Sequence, residues 1–197
     1  MEELTVQIQY TSALSTIQIY ENLLTDEQLH TLENIAFHNS EWSLMNKSDD
    51  ILREYSQFLC SEITGDVILQ NFLRTFIKKI NIQNIDDYEI ANAYMNLSLF
   101  GLDLNPNFHS ENDGDYTIIV YLNKDWDFLW GGETLFFDCI VNPVTKQFDH
   151  LSKDHRSVFP SHNKALVFPS NLLYSIQSPK KDCRKVQLNA IFNLRKK

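Results

Sequence analysis

Hydrophobic and polar positions change their period near residue 85, from the period of helices to that of strands. Within the segment 15–37, an alternating start gives way to apolar residues at helical spacing, which are Leu29, Leu32, Ile35 and Ala36. Thr25 precedes this run and Gln28 follows three residues later, so the sequence predicts a helix that begins with a capping box.

The rest of the chain divides into predicted helices and then predicted strands. Residues 49–80 are predicted to form one or two further helices, with Gly65 as the break between them. Later segments alternate or are rich in β-branched and aromatic residues, and they predict strands: DYEIANAYMNLSLF, YTIIVYLN, GGETLFFD, KALVFPS and VQLNAIFNL. The polar segment 139–163 fits either a long loop or a hairpin with a broad tip.

Helices followed by strands predict an α+β protein, with the helices packed on a largely antiparallel sheet or barrel. The chain has 197 residues, 43% of them hydrophobic, which is enough for one compact domain over 1–197. Within it we expect a mainly helical N-terminal layer over 1–85 and a β core over 86–197.

Charge and composition limit the classes of partner that the protein is expected to bind. The net charge of −9 argues against a broad nucleic-acid-binding face. The sequence contains no apolar run of the roughly 18 residues that a membrane-spanning helix needs. The first ten residues do not have the pattern of a signal peptide, and the three cysteines are widely spaced and form no CxxC motif. We therefore expect a cytoplasmic protein that binds neither nucleic acid nor membrane.

His109 and Glu111 are the first candidates for chemistry. One residue separates them, so on an extended strand both side chains point to the same side and can bind one metal ion. Three further histidines, His150, His155 and His162, have no recognised ligand spacing and are interpreted as loop residues.

Three longer motifs follow one another along the chain: FGLDLNPNFHSEND, YTIIVYLNKDWDFLWGGETLFFD and KALVFPSNLLYSIQSPKKDCRKVQLNAIFN. Their order over about residues 88–194 resembles the prolyl-4-hydroxylase-like branch of the iron(II)/2-oxoglutarate-dependent oxygenases. The second motif is the most specific part of this resemblance. The resemblance implies a double-stranded β-helix, a jelly-roll or cupin-like barrel that holds its metal at the mouth, with helices before it.

The resemblance implies that His109 and Glu111 are iron(II) ligands, with Glu111 where the family usually has Asp. The family's second histidine corresponds to Tyr174, and no histidine follows His162. Tyr174 is interpreted as a third metal ligand, as a substrate contact or as an aromatic packing residue. The sequence is compatible with all three roles of Tyr174.

The resemblance also implies a binding site for 2-oxoglutarate. In the family, a basic residue on the last strand pairs with the far carboxylate of 2-oxoglutarate through a charge-assisted hydrogen bond. Lys185 or Arg184 takes this place here, with Lys185 favoured as the inward-facing residue, and Tyr121 is expected beside the cofactor. Gly131 and Gly132 are expected to be structural, because glycine permits positive φ and close backbone approach.

The function implied is that of an iron(II)/2-oxoglutarate-dependent oxygenase of hydroxylase type. Its substrate would be an amino-acid side chain of a peptide or protein, or a small molecule. Loss of the second histidine leaves two alternatives. One is a catalytically inactive barrel that serves as a binding or regulatory module. The other is an oxidative enzyme that uses a different metal or reaction.

Overall fold

The computed structural model describes residues 12–39, 41–49, 54–64, 75–101, 115–142 and 148–197. Of residues 39, 44–49, 54–58, 141 and 148–152 it describes the backbone only. The strands in these ranges are β1 (Gln18–Glu21), β2 (Ser43–Asp49), β3 (Glu54–Glu62), β4 (Tyr88–Ser98), β5 (Tyr116–Tyr121), β6 (Thr134–Val141), β7 (Phe148–Val158), β8 (Lys164–Pro169), β9 (Leu172–Ile176) and β10 (Gln187–Lys196). The helical elements are α1 (Asp26–Asn34), its π-helical continuation (Ile35–Asn39) and short 3-10 turns at Ala13–Thr16, Ile85–Asp87 and Phe128–Trp130.

The strands form two antiparallel sheets. The large sheet has the order β1-β8-β5-β10-β4-β3-β2 and the small sheet has the order β7-β6-β9. One apolar cluster joins their facing sides, with Ile119 and Phe168 from the large sheet and Phe136 and Tyr174 from the small sheet. Two facing antiparallel sheets with crossovers between them form a jelly roll, which confirms the predicted double-stranded β-helix.

Alternation along the central strands separates an outer core from the barrel interior. On β10, Leu188, Ala190 and Phe192 belong to the outer cluster, which includes residues of α1. Ile191 belongs to the cluster between the sheets. Because side chains on a strand alternate, Gln187 and Asn189 face the barrel interior together with Ile191.

The predicted capping box of α1 is confirmed. The Thr25 hydroxyl accepts a hydrogen bond from the Gln28 amide at 3.3 Å, and the Gln28 side chain accepts one from the Thr25 amide at 2.9 Å. Asn163 fastens the chain just before α1 to the barrel. Its side chain accepts from the Leu24 amide at 2.9 Å and donates to the Leu24 carbonyl at 2.8 Å.

The prediction of helix over 49–80 is wrong for residues 54–62, which form β3. β3 pairs with β2 on one side and with β4 on the other, for example through Leu59 opposite Leu97. Pairing along the edge of the large sheet outweighs the local preference, because strand propensity depends strongly on context. A helical turn remains at residues 75–77, whereas Gly65 lies outside the described residues.

The five strands predicted after residue 85 are confirmed as β4, β5, β6, β8 and β10. The segment 139–163 contains the end of β6 and the whole of β7, which pair as antiparallel neighbours, so the hairpin alternative is correct. β9 was not predicted because its sequence LLYSI neither alternates regularly nor is rich in the β-branched and aromatic residues that identified β5. In the part of the chain described, no helix is long and apolar enough to cross a membrane.

Candidate functional site

Tyr174, the residue at the family's second histidine position, lies inside the barrel. It is on β9 opposite Phe136 of β6, and only 3% of its surface is exposed. Its ring centre is 5.0 Å from that of Phe168 and 6.4 Å from that of Phe136. Tyr174 therefore lies on the inner wall of the barrel, where it packs against aromatic side chains.

His109 and Glu111, the other two predicted ligands, lie outside the described residues, in the segment between Gly101 and Asp115. Among the residues that are described, no group of three histidine, cysteine, aspartate or glutamate side chains could hold a metal ion. The structure therefore positions one member of the predicted set, Tyr174.

Tyr121 bridges the two sheets from the end of β5. Its hydroxyl lies 2.6 Å from that of Thr134 on β6, and both residues are buried. Burial raises the pKa of Tyr121 well above its ordinary value, and the charge of Glu133 adds to this against the lowering effect of the Thr134 hydrogen bond. Tyr121 is therefore a neutral hydrogen-bonding group at physiological pH.

The GGE part of the second motif has a structural role. Gly131 and Gly132 have φ values of 74° and 77°. A Cβ atom at Gly132 would lie 3.0 Å from the side chain of Gln187, whose Nε2 donates to the Gly132 carbonyl at 2.6 Å. Trp126 Nε1 donates to the Gly131 carbonyl at 3.0 Å. These contacts confirm the expectation that the glycines serve a turn and a close approach.

The asparagine of the YLN motif also has a structural role, which the sequence did not indicate. The Asn123 side chain donates to the Val186 carbonyl at 2.8 Å and accepts from the Leu188 amide at 2.7 Å. It thereby fastens the end of β5 to the start of β10. This connection fixes the position of the barrel end where Gln187 and Tyr121 lie.

Lys185 and Arg184, the candidates for a 2-oxoglutarate anchor, precede β10 and are both exposed. The Lys185 ammonium donates to the carbonyls of Lys124 at 3.1 Å and Asp125 at 3.5 Å. It also lies 5.6 Å from the ring centre of Trp130. This arrangement differs from the expected one, in which Lys185 lies on the last strand and faces inward, because that strand begins only at Gln187.

Four polar side chains line the interior at this end, and we call them the amide patch: Asn96 and Ser98 of β4 with Gln187 and Asn189 of β10. Asn189 is directly opposite Asn96, and Gln187 is directly opposite Ser98. On its other side, Asn189 is opposite Tyr121. All four are at most 1% exposed. These four residues were not predicted, although three of the four alternate positions over 187–193 of the apolar last strand are polar, which signals a partly polar inner face.

Among the residues that the structure describes, most polar atoms of the amide patch have no hydrogen-bond partner. These are both side-chain polar atoms of Asn96 and of Asn189, the Ser98 hydroxyl and the Gln187 Oε1. About 90% of buried polar groups in proteins are paired, and leaving one unpaired costs about 1–3 kcal/mol. A concentration of such atoms in one place therefore suggests a position where polar contacts come from outside the protein chain.

The interior described here carries no positive charge. Asp138 is the only charged residue among the buried ones of the described ranges, and it accepts a hydrogen bond from the Ala13 amide at 2.8 Å. No lysine, arginine or histidine in those ranges is buried. The described interior is therefore neutral to negative.

Comparison with known proteins rests on structure. No family model matches the sequence, and no curated protein matches it. A prolyl-4-hydroxylase from Pseudomonas putida has a TM-score of 0.64 and 14% identity, over 92% of this chain and 93% of that chain. A prolyl hydroxylase from Trichoplax adhaerens, solved with a peptide fragment of the hypoxia inducible factor oxygen degradation domain, has a TM-score of 0.57 and 15% identity, over 90% and 82%.

A third similar structure is the epimerase SnoN from nogalamycin biosynthesis, in complex with Fe3+, alpha ketoglutarate and nogalamycin RO. Its TM-score is 0.61 at 8% identity, over 92% of this chain and 79% of that chain. All three proteins share the barrel described above at low sequence identity. The chain therefore has the fold of the iron(II)- and 2-oxoglutarate-dependent oxygenases, prolyl-4-hydroxylases among them.

Proposed function

We propose that the protein is an iron(II)/2-oxoglutarate-dependent oxygenase of hydroxylase type. The observation that carries the proposal is that the second and third sequence motifs fall on strands of a barrel shared with such enzymes, with Tyr174 on its inner wall. When bound, iron(II) and 2-oxoglutarate would activate O2, the oxidant, for hydroxylation of a carbon–hydrogen bond, and 2-oxoglutarate would be oxidised to succinate and CO2.

The proposed iron ligands are His109, Glu111 and Tyr174. One imidazole and two oxygen donors are a set that a divalent iron ion accepts. Tyr174 would bind best as the phenolate, and its burial against Phe136 and Phe168 disfavours that charge unless the metal compensates it. The donor types therefore fit iron, and the weakest member of the set is Tyr174.

The described residues fit 2-oxoglutarate less well. Its far carboxylate needs a positive partner, and none of the buried residues in the described ranges provides one. Lys185 is our candidate, with Arg184 second, and Tyr121 would contact the same molecule. Lys185 would have to exchange its contacts with Trp130 and two carbonyl oxygens for that carboxylate.

The proposed substrate is an amino-acid side chain of a peptide or protein, or a small molecule. Both classes occur among the similar structures, as the peptide of the Trichoplax enzyme and the nogalamycin RO of SnoN. We also propose that the protein acts in the cytoplasm as a single domain, in keeping with its composition and charge.

A second candidate function is that of an inactive barrel that binds or regulates. The neutral interior and the tyrosine at the family's histidine position favour it. A third candidate is an oxidative enzyme that uses another metal or another reaction, which the unusual donor set favours. The three candidates differ in whether the wild-type protein holds iron and consumes 2-oxoglutarate.

Turnover of 2-oxoglutarate to succinate in air, with added iron(II), tests the proposal. We expect the wild type to form succinate and Tyr174→Phe to lose most of that activity, with Tyr174→His as the matched variant. If only Tyr174→His binds iron and forms succinate, the wild type is the inactive form. Absence of both iron and succinate in every variant would exclude the enzyme.

A further inference from the structure

The amide patch forms a compact square of polar groups on the inner wall. Residues directly opposite on neighbouring antiparallel strands have Cβ atoms roughly 5 Å apart, and residues two positions apart on one strand share a face. Asn96, Ser98, Gln187 and Asn189 satisfy both relations. Tyr121 extends the row beyond Asn189. One small polar group placed over the square can therefore reach several of these side chains at once.

The patch offers both donors and acceptors. Within the described part of the chain, the two asparagines each present an unpaired amide nitrogen and an unpaired amide oxygen. Gln187 is held by its Nε2 on the Gly132 carbonyl, which leaves its Oε1 as an acceptor. Ser98 provides a hydroxyl that can act either way. A ligand that satisfies these atoms has to bring both N–H and C=O groups.

A carboxylate satisfies the patch poorly. It only accepts hydrogen bonds, so it leaves the oxygens of Asn96, Asn189 and Gln187 without donors. It also brings a negative charge to a wall with no cation among the buried residues described, and burial of an unpaired charge is costly. A carboxamide has nearly the shape of a carboxylate, carries no charge and supplies two N–H donors.

We propose that the amide patch is a binding site for the uncharged carboxamide group of a small molecule, with Asn96 and Asn189 as the principal contacts. This site requires no metal and does not rest on the oxygenase activity proposed above. A carboxamide sits with its oxygen toward the amide nitrogens and its nitrogen toward Gln187 Oε1 and an asparagine oxygen. The barrel thereby distinguishes an amide from the corresponding acid.

Calorimetric titration of the metal-free protein tests this site with a matched pair of probes, glutaramide and glutarate, which differ in charge and in donors but hardly in shape. We expect glutaramide to bind at least about tenfold more tightly than glutarate, the difference that one or two hydrogen bonds produce. Equal binding of both probes, or binding of neither as when internal water alone fills these contacts, overturns the proposal.

Variants on one strand locate the site. Asn189→Leu is expected to lose glutaramide binding by about tenfold or more while its melting temperature stays the same or rises, because it removes an unpaired buried amide. Asn189→Lys is expected to reverse the preference toward glutarate. Asn193→Leu is the matched control: Asn193 is equally buried on the same strand, but its Nδ2 donates to the Thr117 hydroxyl at 3.1 Å, at the other end of β5. Only its Oδ1 has no partner among the described residues.

The control decides between a binding site and a general effect of packing. Glutaramide affinity is expected to be unchanged in Asn193→Leu. Equal losses in Asn193→Leu and Asn189→Leu contradict the proposal. If Asn189→Leu does not fold, Asn96→Ser gives the same comparison with a smaller change of volume. Because no metal is present in these titrations, their outcome is separate from that of the succinate assay.

Discussion

Tyr121 is buried at the end of β5, and its hydroxyl links the large sheet to the small one through Thr134. Tyr121→Phe leaves the Thr134 hydroxyl buried without this partner. We expect the free energy of unfolding to fall by about 1–3 kcal/mol, measured by urea denaturation. Thr134→Val combined with Tyr121→Phe should cost less than the sum of the two single changes. Strict additivity would mean that the hydroxyl pair contributes nothing.

The raised pKa of Tyr121 predicts a loss of stability in alkali. Burial raises the pKa of the folded state, whereas the unfolded chain has the ordinary value of about 10. The unfolded state therefore releases this proton first. The stabilisation is fully present below pH of about 10 and is lost as the pH rises toward the folded-state pKa.

The matching measurement compares wild type and Tyr121→Phe by chemical denaturation between pH 8 and 11. The wild type should lose more stability than the variant across the upper part of this range. Subtraction of the variant removes the contribution of Tyr88, whose pKa is also raised by burial. Parallel curves for the two proteins would contradict the inferred shift.

Lys185 and Arg184 are separable by mutation although they are neighbours. Lys185 lies over the Trp130 ring and donates to the carbonyls of two loop residues, two positions before the first inward residue of β10. We expect Lys185→Met to raise the KM for 2-oxoglutarate by roughly tenfold or more, the size of a lost charge-assisted hydrogen bond. Arg184→Met should leave KM unchanged. The reverse result would make Arg184 the anchor.

At the scale of elements, local patterns predicted strands where apolar and polar residues alternate or where β-branched and aromatic residues are frequent. The capping box before α1 and the five strands after residue 85 follow from residue type and spacing. β3 and β9 were missed for different physical reasons. β3 is stabilised by pairing with β2 on one side and β4 on the other. A short window of sequence contains none of these pairings, so it gives only the local preference. The sequence of β9, LLYSI, has neither of the two patterns that identified the other strands.

The turn between β5 and β6 depends on glycine in a way that substitution can measure. At Gly132 an alanine meets both a positive φ and the Gln187 side chain at 3.0 Å. At Gly101 the φ is also positive, but no atom lies within 4 Å of the added Cβ. We expect both substitutions to cost roughly 1–3 kcal/mol for the backbone, with about 1 kcal/mol or more in addition at Gly132. Equal costs in thermal denaturation would contradict the role of the Gln187 contact.

At the scale of the whole molecule, the order of motifs predicted the barrel better than any single motif predicted the site. Tyr121 and Tyr174, two of the predicted site residues, are buried inside the barrel, and their roles stay predictions. Lys185 was expected on the last strand, but that strand starts two residues later. The amide patch was not predicted because it depends on the register between β4 and β10, which places polar residues from distant parts of the chain opposite each other.

The whole-molecule comparison also explains why sequence alone is a weak guide here. The barrel is kept at 14% identity to the Pseudomonas enzyme, because many apolar sequences fill two facing sheets. The chemistry depends on a few side chains, and two of them, His109 and Glu111, lie outside the described residues. The fold of this chain therefore does not by itself establish its function, which depends on its metal ligands.

Metal analysis of the purified protein after anaerobic reconstitution with iron(II) tests the central claim most directly. The proposal predicts about one iron per chain in the wild type, with iron lost in both His109→Ala and Glu111→Ala, since a facial site needs each of its few ligands. Tyr174→Phe should weaken retention of the metal. A wild-type chain that retains no iron, or that retains the same amount in His109→Ala and Glu111→Ala, would contradict the account.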